Sequence, residues 1–309
     1  MHRCMISRTS LQTLRGMARR VNPTRTPFVI RPMSSESTKS APPPTSNSTY
    51  HSLTDFDIRS KVILVTGGAR GLGLTQSEAL AQAGATVYAL DLHDSAPSEF
   101  TKVSEKTPNM HYCKTDVRCP KTLESTCRGI ADKEGRMDGM IASAGILDEV
   151  SSLEASKEQF QRVMDINVTG CFLSAQACAR EMVRLGKKGG SILLVASMSG
   201  MIANRDVHMA AYNSSKGAVH QMARNLASEW GKEYGIRVNT LSPGYIMTDM
   251  VQQMFRKVPE RKDLWSHQNM LGRLSTPAEY RGAAVFLMSD ASSYMTGADL
   301  MMDGGHRAW

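Results

Sequence analysis

The chain has 309 residues, 41% of them hydrophobic, and a formal charge of +8. That is apolar content enough for a packed core, and no run of eighteen apolar residues marks a membrane-spanning helix. The charge hints at nucleic acid, but seven of the 37 bases are arginines within residues 1–35, and the remaining 30 face 29 acids. A nearly neutral body argues against a nucleic-acid partner, and the lack of such an apolar run argues against membrane insertion.

The first 35 residues carry Arg3, Arg8, Arg15, Arg19, Arg20, Arg25 and Arg31 before the first acid, Glu36. Leu11, Leu14 and Ala18 fall at helical spacing. An arginine-rich, acid-free, amphipathic start is the pattern of a mitochondrial transit peptide; the alternative is a basic tail with no targeting role. Residues 36–56 follow, polar and proline-rich in their first part, and read as a disordered linker. Six cysteines, at 4, 113, 119, 127, 171 and 178, form no CxxC pair. They read as small buried hydrophobes, not metal ligands, and suit a reducing compartment.

From residue 57 to 309 short apolar runs alternate with helical patterns. Strands are predicted at 61–68, 86–92, 111–117, 139–145, 190–197, 236–242 and 298–305. Helices are predicted at 73–84, 120–135 (opened by Pro120), 157–186, 210–231 and 277–290. Strands apolar on both faces, separated by helices, call for a doubly wound parallel sheet, Rossmann-like, in a single α/β domain with helices on both faces.

The loop "TGGARGLG", 66–73, joins the first strand to the first helix. Gly67 can make a tight turn, and Gly71 and Gly73 allow close approach of a pyrophosphate to backbone at a helix N-terminus. Leu72 sits within the same loop. Asp91 ends the second strand, with Leu92 after it. Its carboxylate can accept from two ribose hydroxyls and repels a 2′-phosphate, which favours NAD(H) over NADP(H). Arg70 pulls the other way, because a guanidinium pairs with phosphate. Asp116, followed by Val117, could accept from an adenine amino group or cap the helix beyond it.

In "SMSGMIANRDVHMAAYNSSKG", 197–217, Tyr212 and Lys216 are four apart and share a helix face. A ketone reduced by hydride needs a proton for its oxygen, and a tyrosine hydroxyl can give it. The ordinary tyrosine pKa near 10 is too high for work at neutral pH, and a nearby ammonium would lower it. Ser199, thirteen positions before Tyr212, could hydrogen-bond the substrate oxygen.

These residues together resemble the short-chain dehydrogenase/reductase family from about residue 57 to the end. "TGGARGLG" is similar to its TGxxxGxG cofactor loop. Tyr212 and Lys216 match its YxxxK pair, and Ser199 is taken as its catalytic serine. Asn167, in "INVTG", matches the asparagine that in relatives holds a water in a proton relay to the lysine. The resemblance implies adenine contact for Asp116. It implies nicotinamide contact for Pro243, Gly244, Ile246 and Thr248 in "SPGYIMT", and a second ribose-binding duty for Lys216. One motif departs: "ASAG", 142–145, stands where the family has NNAG, with Ser143 in place of an asparagine. Ala144 and Gly145 still permit close approach of cofactor.

"ASMSG", "AAYNSSK" and "DGGHRAW" are similar to fungal polyol and ketose reductases. The substrate implied is a small polyol or ketose, such as arabinitol, mannitol or xylulose. Met201, Asn204 and His208 are candidate substrate contacts beside Ser199 and Tyr212, and residues 245–270 a substrate loop. Two alternatives stay open. One is a reductase of a less polar ketone, of steroid or 3-oxoacyl type, with Met201, Met209, Met247, Met250 and Met254 lining its pocket. The other is a nucleotide-binding protein without turnover. Relatives form tetramers through two long helices, so a homo-oligomer built on 157–186 and 210–231 is implied.

Residues 1–35 fused to a fluorescent reporter should carry it into mitochondria. A reporter that stays in the cytosol overturns that reading.

Overall fold

The computed structural model describes residues 53–186 and 188–309. The proposed transit peptide and most of the linker lie outside the described residues. Residues 53–56, assigned to the linker, are structured: Thr54–Phe56 form a 3-10 turn, and Phe56 lies 6.1 Å from the Phe286 ring.

Seven described strands form one parallel sheet in the order β3-β2-β1-β4-β5-β6-β7. They are β1 (Val62–Thr66), β2 (Thr86–Asp91), β3 (Met110–Lys114), β4 (Gly139–Ala142), β5 (Gly190–Val195), β6 (Ile236–Pro243) and β7 (Asp299–Met302). In β1, Val62 and Leu64 enter one core while Ile63 and Val65 enter the other. That period of two buries both faces and explains why the strands are apolar throughout. Leu123, Cys178 and Val219 cover one face; Leu80, Phe100 and Leu287 cover the other.

The helices are α1 (Gly71–Gln82), α2 (Ser98–Ser104), α3 (Pro120–Glu134), α4 (Lys157–Met164), α5 (Cys171–Arg184), α6 (Ala210–Tyr234), α7 (Asp249–Lys257), α8 (Arg261–His267) and α9 (Arg281–Met288). α3 begins with proline at its first turn and ends at Gly135, whose φ of +65° suits glycine. Ser156 and Gln159 close a capping box at the start of α4. The helix expected over 157–186 is interrupted: Asp165–Gly170 form a π-helical turn between α4 and α5. Such turns recur at functional sites because they re-aim side chains, and this one carries Asn167. Similarly, the helix expected at 277–290 opens with a 3-10 turn, Pro277–Tyr280.

The chain builds the sheet outward in one direction from β1 to β3, then restarts at β4 on the other side of β1. The loops after β1 and β4 therefore diverge and leave a crevice at the strand C-terminal ends. Among the described residues no helix is long and apolar enough to cross a membrane.

Leu123→Ala should destabilise the domain by about 2–5 kcal/mol, since Leu123 is fully buried between α3 and the sheet. Urea unfolding checks this; a loss under about 1 kcal/mol would mean the site collapses around the void.

Candidate active site

Gly67 leaves β1 with φ +64° and its N–H donates to the Leu90 carbonyl at 2.7 Å. A Cβ there would lie 2.9 Å from the Ala144 backbone, and a Cβ on Gly73 would lie 2.1 Å from the Gly67 carbonyl oxygen. Both glycines are thus forced by close packing between the two diverging loops and α1. Gly71 differs: φ is +52°, and nothing lies within 4 Å of the space a Cβ would take. It faces an open cradle at the α1 N-terminus. That opening, not the glycine count, fits a pyrophosphate against backbone N–H groups. Leu72 is packed partly into the core behind it.

Asp91 is buried at the end of β2, and its Oδ1 accepts the Leu92 N–H at 2.8 Å. Leu92 itself is exposed. Arg70 reaches over from the glycine loop, with Nη2 3.7 Å from Asp91 Oδ1. The two residues that pull cofactor choice in opposite directions therefore face each other.

Asp116 does not cap α3. Its carboxylate accepts the Arg118 N–H at 2.9 Å and pairs with the Arg118 guanidinium, the closest contact being 2.7 Å. That guanidinium holds the Asp116 carboxyl below the usual range. Val117 is buried, and a Cβ on Gly170 in the π-turn would lie 2.7 Å from it.

Asn167 ties three segments together. Its Oδ1 accepts the Ile146 N–H at 2.9 Å, and its Nδ2 donates to the Ile146 carbonyl and to Ser215 Oγ, each at 3.0 Å. A Cβ on Gly145 would lie 3.3 Å from Asn167 Oδ1 and 3.7 Å from Lys216 Nζ. The loop after β4, the π-turn and the lysine of α6 thus meet at one point. Ser143, the departure from NNAG, donates its backbone N–H to the Thr66 carbonyl at 3.2 Å, so the β1–β4 tether persists.

Tyr212 and Lys216 lie one turn apart on α6, with Lys216 Nζ 5.6 Å from the Tyr212 ring centre. Of the two serines it is Ser197, not Ser199, whose hydroxyl acts to lower the Tyr212 pKa. Ser199 is buried in the 3-10 turn Met198–Gly200, and its backbone N–H donates to Ser197 Oγ at 3.1 Å. Counting thirteen residues back from the tyrosine missed this because the 201–209 segment sets its own length. The better signal was Ser197-x-x-Gly200, where the glycine lets the turn lie against α6.

The electrostatics also differ from expectation. Burial pushes the Tyr212 hydroxyl above its ordinary value, and the lowering contribution is the Ser197 hydrogen bond. Burial brings Lys216 down to about 8, while its Nζ donates to the Val195 carbonyl at 2.8 Å. A low-dielectric site disfavours both charged forms, so the protein alone does not give the lowered tyrosine that the i,i+4 spacing implied.

On the far side, Pro243 ends β6 and Gly244 lies flush against Asp303, where a Cβ would come within 2.8 Å. Ile246 is buried and bridges to Ser275. Thr248 is engaged as the N-cap of α7, its Oγ1 accepting the Val251 N–H at 3.4 Å.

The three expected substrate contacts separate. Met201 and His208 are exposed. Asn204 is buried and committed to protein: its Nδ2 donates to the Tyr245 hydroxyl at 2.9 Å, and its Oδ1 accepts from Asn213 Nδ2 at 3.0 Å. Tyr245, not singled out in the sequence, stacks on buried Trp265 at 4.0 Å between ring centres. Arg261 of α8 makes two bonds to Glu149, at 2.7 and 2.5 Å, and the Val150 N–H donates to the His208 carbonyl at 3.0 Å. The segment after β4, the 201–209 loop and the 245–270 region are thereby joined.

A family model described as enoyl-(acyl carrier protein) reductase matches residues 67–307. A short-chain dehydrogenase/reductase of Aspergillus versicolor is 41% identical over 263 residues, 82% of this chain and 89% of that one. The chain belongs to the short-chain dehydrogenase/reductase family. A sorbose reductase of Schizosaccharomyces pombe is 36% identical, over 81% of this chain and 97% of that protein. Among solved structures, a putative 2-deoxy-D-gluconate 3-dehydrogenase from Agrobacterium tumefaciens with bound NADP aligns with a TM-score of 0.75 and 30% identity, covering 82% of this chain and 99% of that one. As a member of this family the protein is an NAD(P)-dependent oxidoreductase, and the Gly71 cradle and the Tyr212 cluster lie where that chemistry needs them.

Ser197→Ala should lower kcat by about a hundredfold, the loss typical of one positioned donor to a reacting oxygen. Ser199→Ala should stay within about threefold of the parent, far short of that loss. Steady-state kinetics on both variants decide, and the reverse ranking restores Ser199.

Proposed function

We propose that this oxidoreductase interconverts a secondary alcohol and a ketone on a small polyol or ketose, with NAD(H) favoured over NADP(H). The observation that carries the reaction is the convergence of Tyr212, Lys216 and the loop after β4: Lys216 Nζ lies 5.6 Å from the Tyr212 ring centre and 3.7 Å from where a Cβ on Gly145 would stand. The Gly67–Gly73 loop and Asp91 would hold a nicotinamide dinucleotide, which when bound would supply or accept the hydride. Tyr212 gives a proton to the substrate oxygen in reduction and takes it back in oxidation. Ser197 Oγ holds that oxygen against the tyrosine. Lys216, brought down to about 8 by burial, carries its charge in the pH range where Tyr212 is protonated and able to donate. Asn167 keeps the loop after β4 and the start of α6 in register through Ile146 and Ser215.

The polyol reading rests on the sorbose reductase likeness and on the Tyr245 hydroxyl, which Asn204 orients. With its oxygen accepting from Asn204, the Tyr245 hydroxyl keeps its own proton for a substrate hydroxyl. A less polar ketone would leave that donor unmatched. The methionines that motivated the apolar alternative do not form one lining: Met201 is exposed and Met209 is buried at the start of α6. The NAD(H) preference rests on the buried Asp91 carboxylate, and Arg70 at 3.7 Å softens it. Import into mitochondria, and assembly into a tetramer through the faces of α4–α5 and α6, complete the proposal.

Tyr212→Phe should abolish turnover of polyols and ketoses while nucleotide binding survives; turnover within about tenfold of the parent overturns the proton role. The pH dependence has a definite sign. Reduction uses protonated Tyr212, so its rate is full at low pH and falls as pH rises through the raised tyrosine value; oxidation climbs over the same range. Reduction that strengthens with pH contradicts this assignment.

Asp91→Ser should raise kcat/KM with NADP(H) and lower it with NAD(H), since it removes repulsion and releases Arg70. A tenfold change corresponds to about 1.4 kcal/mol. A parent that already favours NADP(H) shows that Arg70 governs the pocket.

A further inference from the structure

Helix α6 presents a third polar side chain on the stripe that carries Tyr212 and Lys216. His220 follows Lys216 by four residues, is buried, and points at the same turn after β5. Its Nε2 lies 3.2 Å from the Ser197 carbonyl oxygen. The stripe therefore holds the end of β5 and the turn beyond it at two points: Lys216 at the Val195 carbonyl and His220 at the Ser197 carbonyl. Backbone packing leaves little slack. A Cβ on Gly200 would lie 2.6 Å from the Lys216 carbonyl carbon and 2.8 Å from His220 Cδ2.

The ring is backed by a carboxylate. Asp299 Oδ1, on β7, lies 3.7 Å from His220 Nδ1, within ion-pair range but beyond a hydrogen bond, and Nδ1 has no hydrogen-bond partner. That same oxygen accepts from the Thr240 and Ser242 hydroxyls of β6, each at 2.6 Å. Ser242 Oγ is also 3.5 Å from His220 Nε2. A Ser–His–Asp hydrolytic arrangement is excluded here, because Ser242 is fully buried and its hydroxyl already donates to Asp299.

We propose that His220 is a positioning residue: its Nε2–H, donated to the Ser197 carbonyl, fixes the direction in which the Ser197 hydroxyl meets the substrate oxygen. A carbonyl has no proton to give, so the contact is a hydrogen bond only when Nε2 carries one. With the proton on Nε2, Nδ1 is a bare acceptor, which agrees with its lacking a hydrogen bond to Asp299 at 3.7 Å. The effect runs through Ser197 and not through the nucleotide, since the glycine loop and Asp91 belong to other elements.

This inference rests on the alcohol–ketone reading and on Ser197, and its test separates the two. With the best substrate from a polyol and ketose screen, His220→Ala should lower kcat by about tenfold or more, as expected when a reacting group is misplaced by a fraction of a bond length. KM should change little, and NAD(H) affinity, read by fluorescence titration, should stay within about twofold, well below one decade. His220→Gln, whose amide can donate to the same carbonyl, should recover most of the loss. In a Ser197→Ala background, His220→Ala should add less than about twofold, because groups acting as a unit are non-additive. Multiplying losses in that background, or no rescue by glutamine, overturns the proposal. Nitrogen NMR of the histidine-labelled enzyme, with the His220 signals assigned by their absence in His220→Gln, gives a reading independent of activity. A protonated Nε2 is expected, and a ring with bare Nε2 overturns the proposal even if the screen finds no substrate.

Discussion

The turn after β5 lies flat on helix α6, and the chemistry of the site depends on that contact. Gly200 and Gly217 make it possible: a Cβ on Gly200 would collide with the α6 backbone, and one on Gly217 would sit 3.3 Å from the Gly200 carbonyl oxygen. At that distance a helix can hold a loop with its side chains at successive turns. Lys216 does so at the Val195 carbonyl and His220 at the Ser197 carbonyl. A bulkier residue at either position would lift the serine from the tyrosine without touching either one. The short contact is thus as much part of the site as the hydroxyls.

Beneath the other half of the crevice the governing constraint is steric separation of two loops. The sheet order puts the ends of β1 and β4 side by side while their chains run apart. Gly67 against Ala144 fixes the narrowest point, and the open space at Gly71 begins just beyond. Arg70 and Asp91 then meet over the same cavity. A partly exposed arginine gains little from such a pairing in water, so the contact can open at low cost when a ribose takes the carboxylate.

Much of this was legible in the sequence. The seven strands were found because both-face burial makes them continuous apolar runs, and α3 because proline and glycine mark its ends. The glycine loop and the Tyr212–Lys216 pair were read from local spacing, which helix geometry fixes. Ser197 was missed because its distance from Tyr212 along the chain passes through a loop, and loop lengths are free to vary. The π-turn at Asp165–Gly170 left no signal, since its apolar pattern continues that of the flanking helices. Asn204 was misplaced for a different reason: its polarity marked it as a ligand group, but Asn213 and Tyr245 consume both ends of its amide. α2 and α8 are seven residues each, too short for a periodic pattern to show, whereas α7 carried a legible N-cap at Thr248.

The region of α7 and α8 is held to the domain by a few specific contacts. Short helices such as α7 and α8 hold little stability of their own. The Arg261–Glu149 ion pair and the Tyr245–Trp265 stack join their region to the rest of the domain. The ion pair is mostly shielded from solvent, where truncating one partner leaves the other charge unpaired and is costly. The stack keeps the Tyr245 hydroxyl against Asn204, and Asn213, which steadies Asn204, is the residue after Tyr212. The orientation of Tyr245 is therefore set by the same helix that sets Tyr212. Asn213 Nδ2 holds the Asn204 oxygen and Asn204 Nδ2 holds the Tyr245 oxygen, so the direction of the Tyr245 hydroxyl follows from a residue one step along α6 from Tyr212.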